Sequence, residues 1–131
     1  LTFFRENDKF ARHSGIELLE LSEGRAKAVM KIREHHLNSV GSVHGGAIFT
    51  LADFVFAVAS NSHGTVAVAI NVSISYMKAA SEGSLFAEAN EVAINPKLAS
   101  YTVNVTDEHG SLIAVFQGMV YRKKETVMTA E

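Results

Sequence analysis

Polar and apolar positions alternate from residue 25 to 33. Ala26, Ala28, Met30 and Ile32 take one side, while Arg25, Lys27, Lys31 and Arg33 take the other. A period of two predicts a half-buried strand. Residues 65–77 repeat the pattern, with Val66, Val68, Ile70, Val72, Ile74 and Tyr76 on one side and only small or polar groups on the other. Further strands are expected over 16–21, 85–94, 99–107 and 112–122, and Asp107-Glu108-His109-Gly110 reads as the hairpin turn between the last two. The first dozen residues set Phe3, Phe4, Phe10 and Ala11 among charges and predict a short helix closed by Gly15. One long helix is expected, from residue 45 to about 60, and it is apolar nearly all round.

Five or six mostly antiparallel strands and one apolar helix give an α+β class with a sheet curled around a central helix. So small a sheet covers one side of the helix, so a second copy of the chain is expected to bury the rest. The length, 131 residues, fits a single domain over 1–131. Charged residues make up 20% and the formal net charge is -2, so no global positive field exists to hold nucleic acid. Zero cysteines exclude disulfides, thiolate metal sites and cysteine nucleophiles. The first residues lack the apolar run of a signal peptide, and the stretch 47–59 is too short and too polar, with Asp53 in it, to span a bilayer. A soluble, cytoplasmic protein with no membrane or nucleic-acid partner is the expectation.

Between His35 and Met77 only Asp53 carries a formal charge. Burying an unpaired carboxylate costs roughly several kcal/mol, so this one is expected to be hydrogen-bonded to the backbone of a neighbouring element, protonated or functional. Ahead of the helix runs Asn38-Ser39-Val40-Gly41-Ser42-Val43-His44-Gly45-Gly46. A helix N-terminus offers unsatisfied amide donors and a partial positive charge. Glycine at 45 and 46 leaves those amides open to a ligand, such as a carbonyl oxygen becoming an oxyanion; alternatively the glycines serve only tight packing. Asp53 lies about 12 Å along the axis from Gly45 at roughly 1.5 Å per residue. A water activated by Asp53 must attack a carbonyl held within about 3 Å of the donor amide. One helix cannot bring the two together, whereas two antiparallel copies about a twofold axis can. Any active site is therefore expected across a dimer interface.

His44-Gly45-Gly46-Ala47-Ile48-Phe49-Thr50-Leu51-Ala52-Asp53, preceded by Asn38 and followed by Ser75-Tyr76-Met77-Lys78-Ala79-Ala80 with Gly83, resembles the hotdog-fold acyl-CoA thioesterases of the phenylacetate-pathway (PaaI) type. The order of elements agrees from about residue 10 to residue 122. The resemblance implies hydrolysis of an acyl-CoA to the free acid and CoA, without metal or bound cofactor, by a homodimer assembling into a homotetramer. It implies Asp53 as general base or nucleophile, the Gly45 amide as the group polarising the thioester carbonyl, and Asn38 and His44 as orienting groups. Some relatives hold the water with a serine or threonine on the strand after the helix. This chain has Ala67-Val68-Ala69-Ile70-Asn71 there, leaving Asn71 or Ser73 as substitutes.

Gly46 and Lys78 complete the expected substrate contacts. Lys97, the Arg122-Lys123-Lys124 run and Arg25, Lys27, Lys31 and Arg33 are the other cations available to CoA phosphates, although exposed cations need no such role. His13, His35, His36, His63 and His109 show no shared ligand spacing, so no metal is assigned to them. A dehydratase of the same fold would need a histidine with an acid in a proline-containing loop, which residues 35–44 lack. The alternative from a different class is a non-catalytic acyl-CoA-binding or sensing module. It has no use for a buried acid beside a thioester. Phe49, Phe54, Phe56, Val58 and Tyr76 are compatible with an aromatic or a medium-chain acyl group alike.

Overall fold

Asp8 divides the expected N-terminal helix in two. Its side chain accepts a hydrogen bond from the Ala11 amide at 3.0 Å and so caps a new helix. The result is α1 (Thr2–Asn7) and α2 (Lys9–His13). The computed structural model describes residues 2–127; residue 1 and residues 128–131 of the expected domain lie outside the described residues. Strands β1 (Ile16–Ser22) and β2 (Arg25–Lys31) form a hairpin, and a 3-10 turn (Glu34–His36) leads towards α3 (Gly45–Ser60). Strands β3 (Thr65–Tyr76), β4 (Ser84–Ile94), β5 (Leu98–Thr106) and β6 (Leu112–Thr126) follow. All pairings are antiparallel, and the six strands stand in the order β1-β2-β4-β5-β6-β3. This is the expected hotdog arrangement, an α+β sheet wrapped around one long helix.

The concave face packs on α3. Ala28 and Met30 of β2, Leu85 and Ala87 of β4, Tyr101 and Val103 of β5 and Phe116 of β6 are all buried there with Leu51, Val55 and Val58 of the helix. The Phe56 ring lies between Phe116 and Tyr101, with centroids 5.3 and 5.9 Å away. Near the end of α3 the Tyr101 hydroxyl donates to Glu91 at 2.7 Å, and His63 meets the same carboxylate oxygen at 2.6 Å. This polar cluster fastens the turn after α3 to β4 and β5.

Two expectations need correction. The clean alternation of residues 65–77 does not hold, because the β3–β6 register shifts between Ala69 and Asn71. A bulge of one residue moves every later side chain to the other face. Before it, Ala67 and Ala69 share the face of buried Val120; after it, Val72 and Ile74 stand opposite Gly118 and Phe116 on that face. Val68 and Ile70 are exposed instead. β6 also runs beyond residue 122, because its last residues pair with the start of β3, Thr126 standing opposite Thr65.

Nor does the chain bury α3 completely. Gly46, Thr50, Asp53 and Ala57, spaced by three or four, form a stripe that is exposed or half-buried. The two sheet edges also differ. β1 is a short edge with a register shift near Leu19 and carries Glu17 and Glu20, whereas β3 is a 12-residue edge without a single charged side chain. Charges, bulges and shortness are the usual guards of a free edge. β3 has the bulge alone.

Candidate active site at the start of the long helix

His44 ends the loop in extended geometry and caps α3 with its ring. Its Nδ1 accepts the Gly46 amide hydrogen at 2.8 Å, while its carbonyl accepts from Ala47 and Ile48. That leaves the Gly45 amide without a partner among the described residues. The amide expected to polarise a carbonyl is therefore free for a ligand. Tyr76 supports it from behind, donating its hydroxyl to the Gly45 carbonyl at 3.0 Å. A β-carbon at position 45 would lie 3.2 Å from the Tyr76 ring, so this close approach is what calls for glycine there.

The loop before the helix is organised by Asn38. Its Oδ1 accepts the amides of Val40 and Ser42 at 3.0 and 3.1 Å, and its Nδ2 donates to the Ser42 hydroxyl at 3.2 Å. Asn38 thus shapes the loop that delivers His44, and in a single protomer its carboxamide oxygen is already engaged. Beneath the loop lies His36, 4% exposed. Its Nδ1 accepts from the Arg33 amide at 3.0 Å, which leaves Nε2 to donate to the Ser14 carbonyl at 2.7 Å. The His36 carbonyl accepts from the His44 amide at 2.7 Å. One buried ring thereby ties the end of α2 to the residue that starts α3. Sequence reading missed this role, since a histidine beside a second histidine carries no periodic signal. Asp8 was missed as well, although an aspartate three residues before Ala11 is a helix-start signal.

Asp53 sits half-buried on the open stripe of α3. Burial, and secondarily the charge of Asp8, raises its carboxyl above the ordinary aspartate range. No side-chain hydrogen bond holds it among the described residues, so the backbone-anchor reading of this acid has no support. A raised, poorly solvated carboxylate is a stronger base than a surface aspartate.

The remaining candidates are not gathered here. Asn71 and Ser73 pair with Met119 and Gln117 on the convex face, opposite to α3. Within one protomer neither reaches Asp53, because the bulge turns them outward; Ala67 and Ala69 face the helix side and offer no polar group. Lys78 lies just past β3, where its Nζ donates to the Ser111 hydroxyl at 3.3 Å. The segment holding it runs beside the site loop, since the Val43 amide donates to the Ala80 carbonyl at 2.8 Å. Gly46 is exposed and lines a groove of about 720 Å³ with His44, Ala47 and Thr50, closed on its far side by residues of α2 and the 3-10 turn. Among the described residues no group of three or more His, Asp or Glu side chains stands where it could hold a metal ion, and no helix is long and apolar enough to cross a membrane.

Known proteins resemble this chain in sequence and in fold. Residues 40–114 match the model of the thioesterase superfamily. An Archaeoglobus fulgidus protein with a provisional esterase name is 48% identical over 94% of this chain and 80% of its own length. The acyl-coenzyme A thioesterase PaaI of Escherichia coli is 32% identical over 93% of this chain and 88% of its own length. The solved structure of the E. coli PaaI protein superposes with a TM-score of 0.93, at 31% identity, covering 97% of this chain and 93% of that one. With the matched segment holding most of the site loop, the long helix and strands β3 to β5, the chain belongs to the thioesterase superfamily.

Proposed function

We propose that the chain is a cytoplasmic acyl-CoA thioesterase that hydrolyses a small aromatic or short- to medium-chain acyl-CoA. The observation that carries this reading is the presence, on one helix, of an unpartnered Gly45 amide at its start and a half-buried acid of raised basicity on its open stripe. The Gly45 N–H receives the thioester oxygen as it gains charge, and the α3 N-terminus adds its partial positive charge. Asp53 either takes a proton from the attacking water or attacks the carbonyl carbon itself. The tetrahedral adduct collapses by breaking the C–S bond, and the sulfur leaves as CoA thiolate, which is protonated to the free thiol. Water activation gives the free acid at once, whereas direct attack leaves an aspartyl–acyl anhydride that a water then hydrolyses to the free acid and the Asp53 carboxylate.

Two copies build the site. Gly45 and Asp53 of one helix are about 12 Å apart along the axis at roughly 1.5 Å per residue, too far to share one carbonyl. The uncharged β3 edge supports strand-to-strand pairing of two protomers, which would set the open stripes of two α3 helices antiparallel. Pairing of two such dimers through the convex sheet faces, where Val68, Met119 and Tyr121 are exposed, would give a homotetramer.

Thiol release from acetyl-, hexanoyl-, benzoyl- and phenylacetyl-CoA tests the reading, with wild type beside Asp53→Asn. The expected result is turnover by the wild type and a loss of at least about a hundredfold in the variant, with CoA-ester binding retained. Equal rates for the two proteins would overturn it. Single turnover in ¹⁸O-water separates the two roles of Asp53. Label that enters Asp53, with an unlabelled enzyme oxygen in the product acid, marks direct attack with the anhydride opened at the aspartyl carbon, whereas water activation puts the label in the product acid and never in Asp53.

A further inference from the structure

The groove beside the α3 N-terminus has one wall that the chemistry above does not use. That wall is Phe10, a large apolar side chain left 66% exposed on α2. Its backbone is nonetheless fixed from three directions. Ala11 next to it is 3% exposed in the core, Asp8 caps the helix, and the Ser14 carbonyl at its end accepts from buried His36. An aromatic side chain carried on an anchored helix yet uncovered, across a groove from His44, Gly46 and Ala47, is positioned to meet a ligand. The groove, about 720 Å³, falls within the size range of small-molecule sites.

Its lining also indicates which part of a thioester it takes. Phe10, Leu37 and Ala47 supply apolar surface, and no lysine or arginine lines it. The phosphates of CoA are better served where cations stand. The groove is continuous with the free Gly45 amide through its neighbours His44 and Gly46. We propose that Phe10 is the acyl-selecting residue of the site: its ring forms the outer wall of a groove that receives the acyl portion of the thioester, with α2 anchored through His36 to the helix start it faces. This rests on the thioesterase reading and adds a specificity determinant to it.

The test compares wild type, Phe10→Ala and Phe10→Leu for kcat/KM on acetyl- and hexanoyl-CoA, with Asp53→Asn as control and the assembly mass followed by light scattering. The hexanoyl-to-acetyl ratio is expected to fall about tenfold in Phe10→Ala, the scale of lost apolar contact in a selective pocket. Phe10→Leu, which keeps an apolar wall, should restore most of it. A ratio within twofold of wild type in both variants, while wild type turns over both esters, overturns the assignment of Phe10 and leaves the thioesterase reading standing. If Phe10→Ala instead lowers the assembly mass with the ratio unchanged, the ring covers a second copy and the proposal is wrong. Absence of turnover in wild type, or turnover undiminished in Asp53→Asn, overturns both readings.

Discussion

Gly118 lies on the inner face of β6 directly against the Phe56 ring of α3. A β-carbon at that position would stand 2.6 Å from two ring carbons and 3.0 Å from a third. Carbons in contact sit about 3.5–4.0 Å apart, so either the ring or the strand must yield by about 1 Å in Gly118→Ala. Phe56 has little room to yield: it is 2% exposed and wedged between Tyr101 and Phe116. Overpacking of this kind costs roughly 1–3 kcal/mol. With the ring unable to yield, the cost lies in the upper part of that range, about 2–3 kcal/mol, and the alanine returns about 1 kcal/mol of backbone entropy, which leaves a net loss of about 1–2 kcal/mol. For a chain of this size that lowers Tm by roughly 3–10 °C. Urea and thermal unfolding at one fixed protein concentration measure it, since assembly makes both concentration-dependent. Adding Phe56→Leu makes room, so the double variant should be more stable than the sum of the single losses by about 0.5–3 kcal/mol. Because Phe56 rides on the helix that carries Asp53, turnover should fall as well. A Gly118→Ala protein that unfolds within about 0.5 kcal/mol of wild type would refute the packing argument.

Asp8→Asn keeps a good capping residue but removes a charge near Asp53. The acid limb of the kcat/KM profile should therefore move to lower pH with little change in Tm, whereas Asp8→Ala should cost about 1 kcal/mol of stability; an unmoved acid limb in Asp8→Asn would rule out the charge effect. Asp53 has a folded pKa above its unfolded one, so its ionisation opposes folding increasingly from the unfolded value upward, fully above the raised value, and has no effect below about pH 3, where both states are protonated. Asp53→Asn should accordingly raise Tm at pH 8, and the gain should shrink to nothing as the pH falls towards about 3; a constant gain across that range would contradict it. At Glu91 burial works to raise the carboxyl, but hydrogen bonds from His63 and Tyr101, with the charges of His63 and Arg122, take it below the usual range. Its contribution is therefore present above the unfolded value and lost as the pH drops through the lowered one. Glu91→Ala strands the hydroxyl of fully buried Tyr101 and should cost about 1–3 kcal/mol, measured by urea unfolding at pH 7.

The elements that bury most surface were the most legible. Strands β2, β4, β5 and helix α3 appear within a residue or two of where periodicity placed them, because each has one continuous core-facing set. β3 was found as a strand but with its faces wrongly divided. A bulge adds a residue without leaving a compositional mark, and Ile70 looks like any other apolar member of the alternation. The site was partly legible for a similar reason. Gly45 and Asp53 stand out as residue types that are unfavourable in a helix unless something requires them. His36, Tyr76 and Phe10 do not stand out, because what distinguishes them is a partner or a groove contributed by distant parts of the chain.

The strand order has a consequence during synthesis on the ribosome. β3 is made directly after α3, yet its neighbour in the sheet is β6, the last of the described strands. At roughly 5–20 residues per second, the intervening stretch of about 50 residues takes some 3–10 s to appear. Throughout that interval the growing chain holds an apolar helix and an uncharged strand before their main coverings exist. The nascent protein thus passes through a window in which a neighbouring unfinished copy is as good a partner as its own later half. Slow codons between β3 and β6 would lengthen that window, and a helix-binding chaperone would shield it.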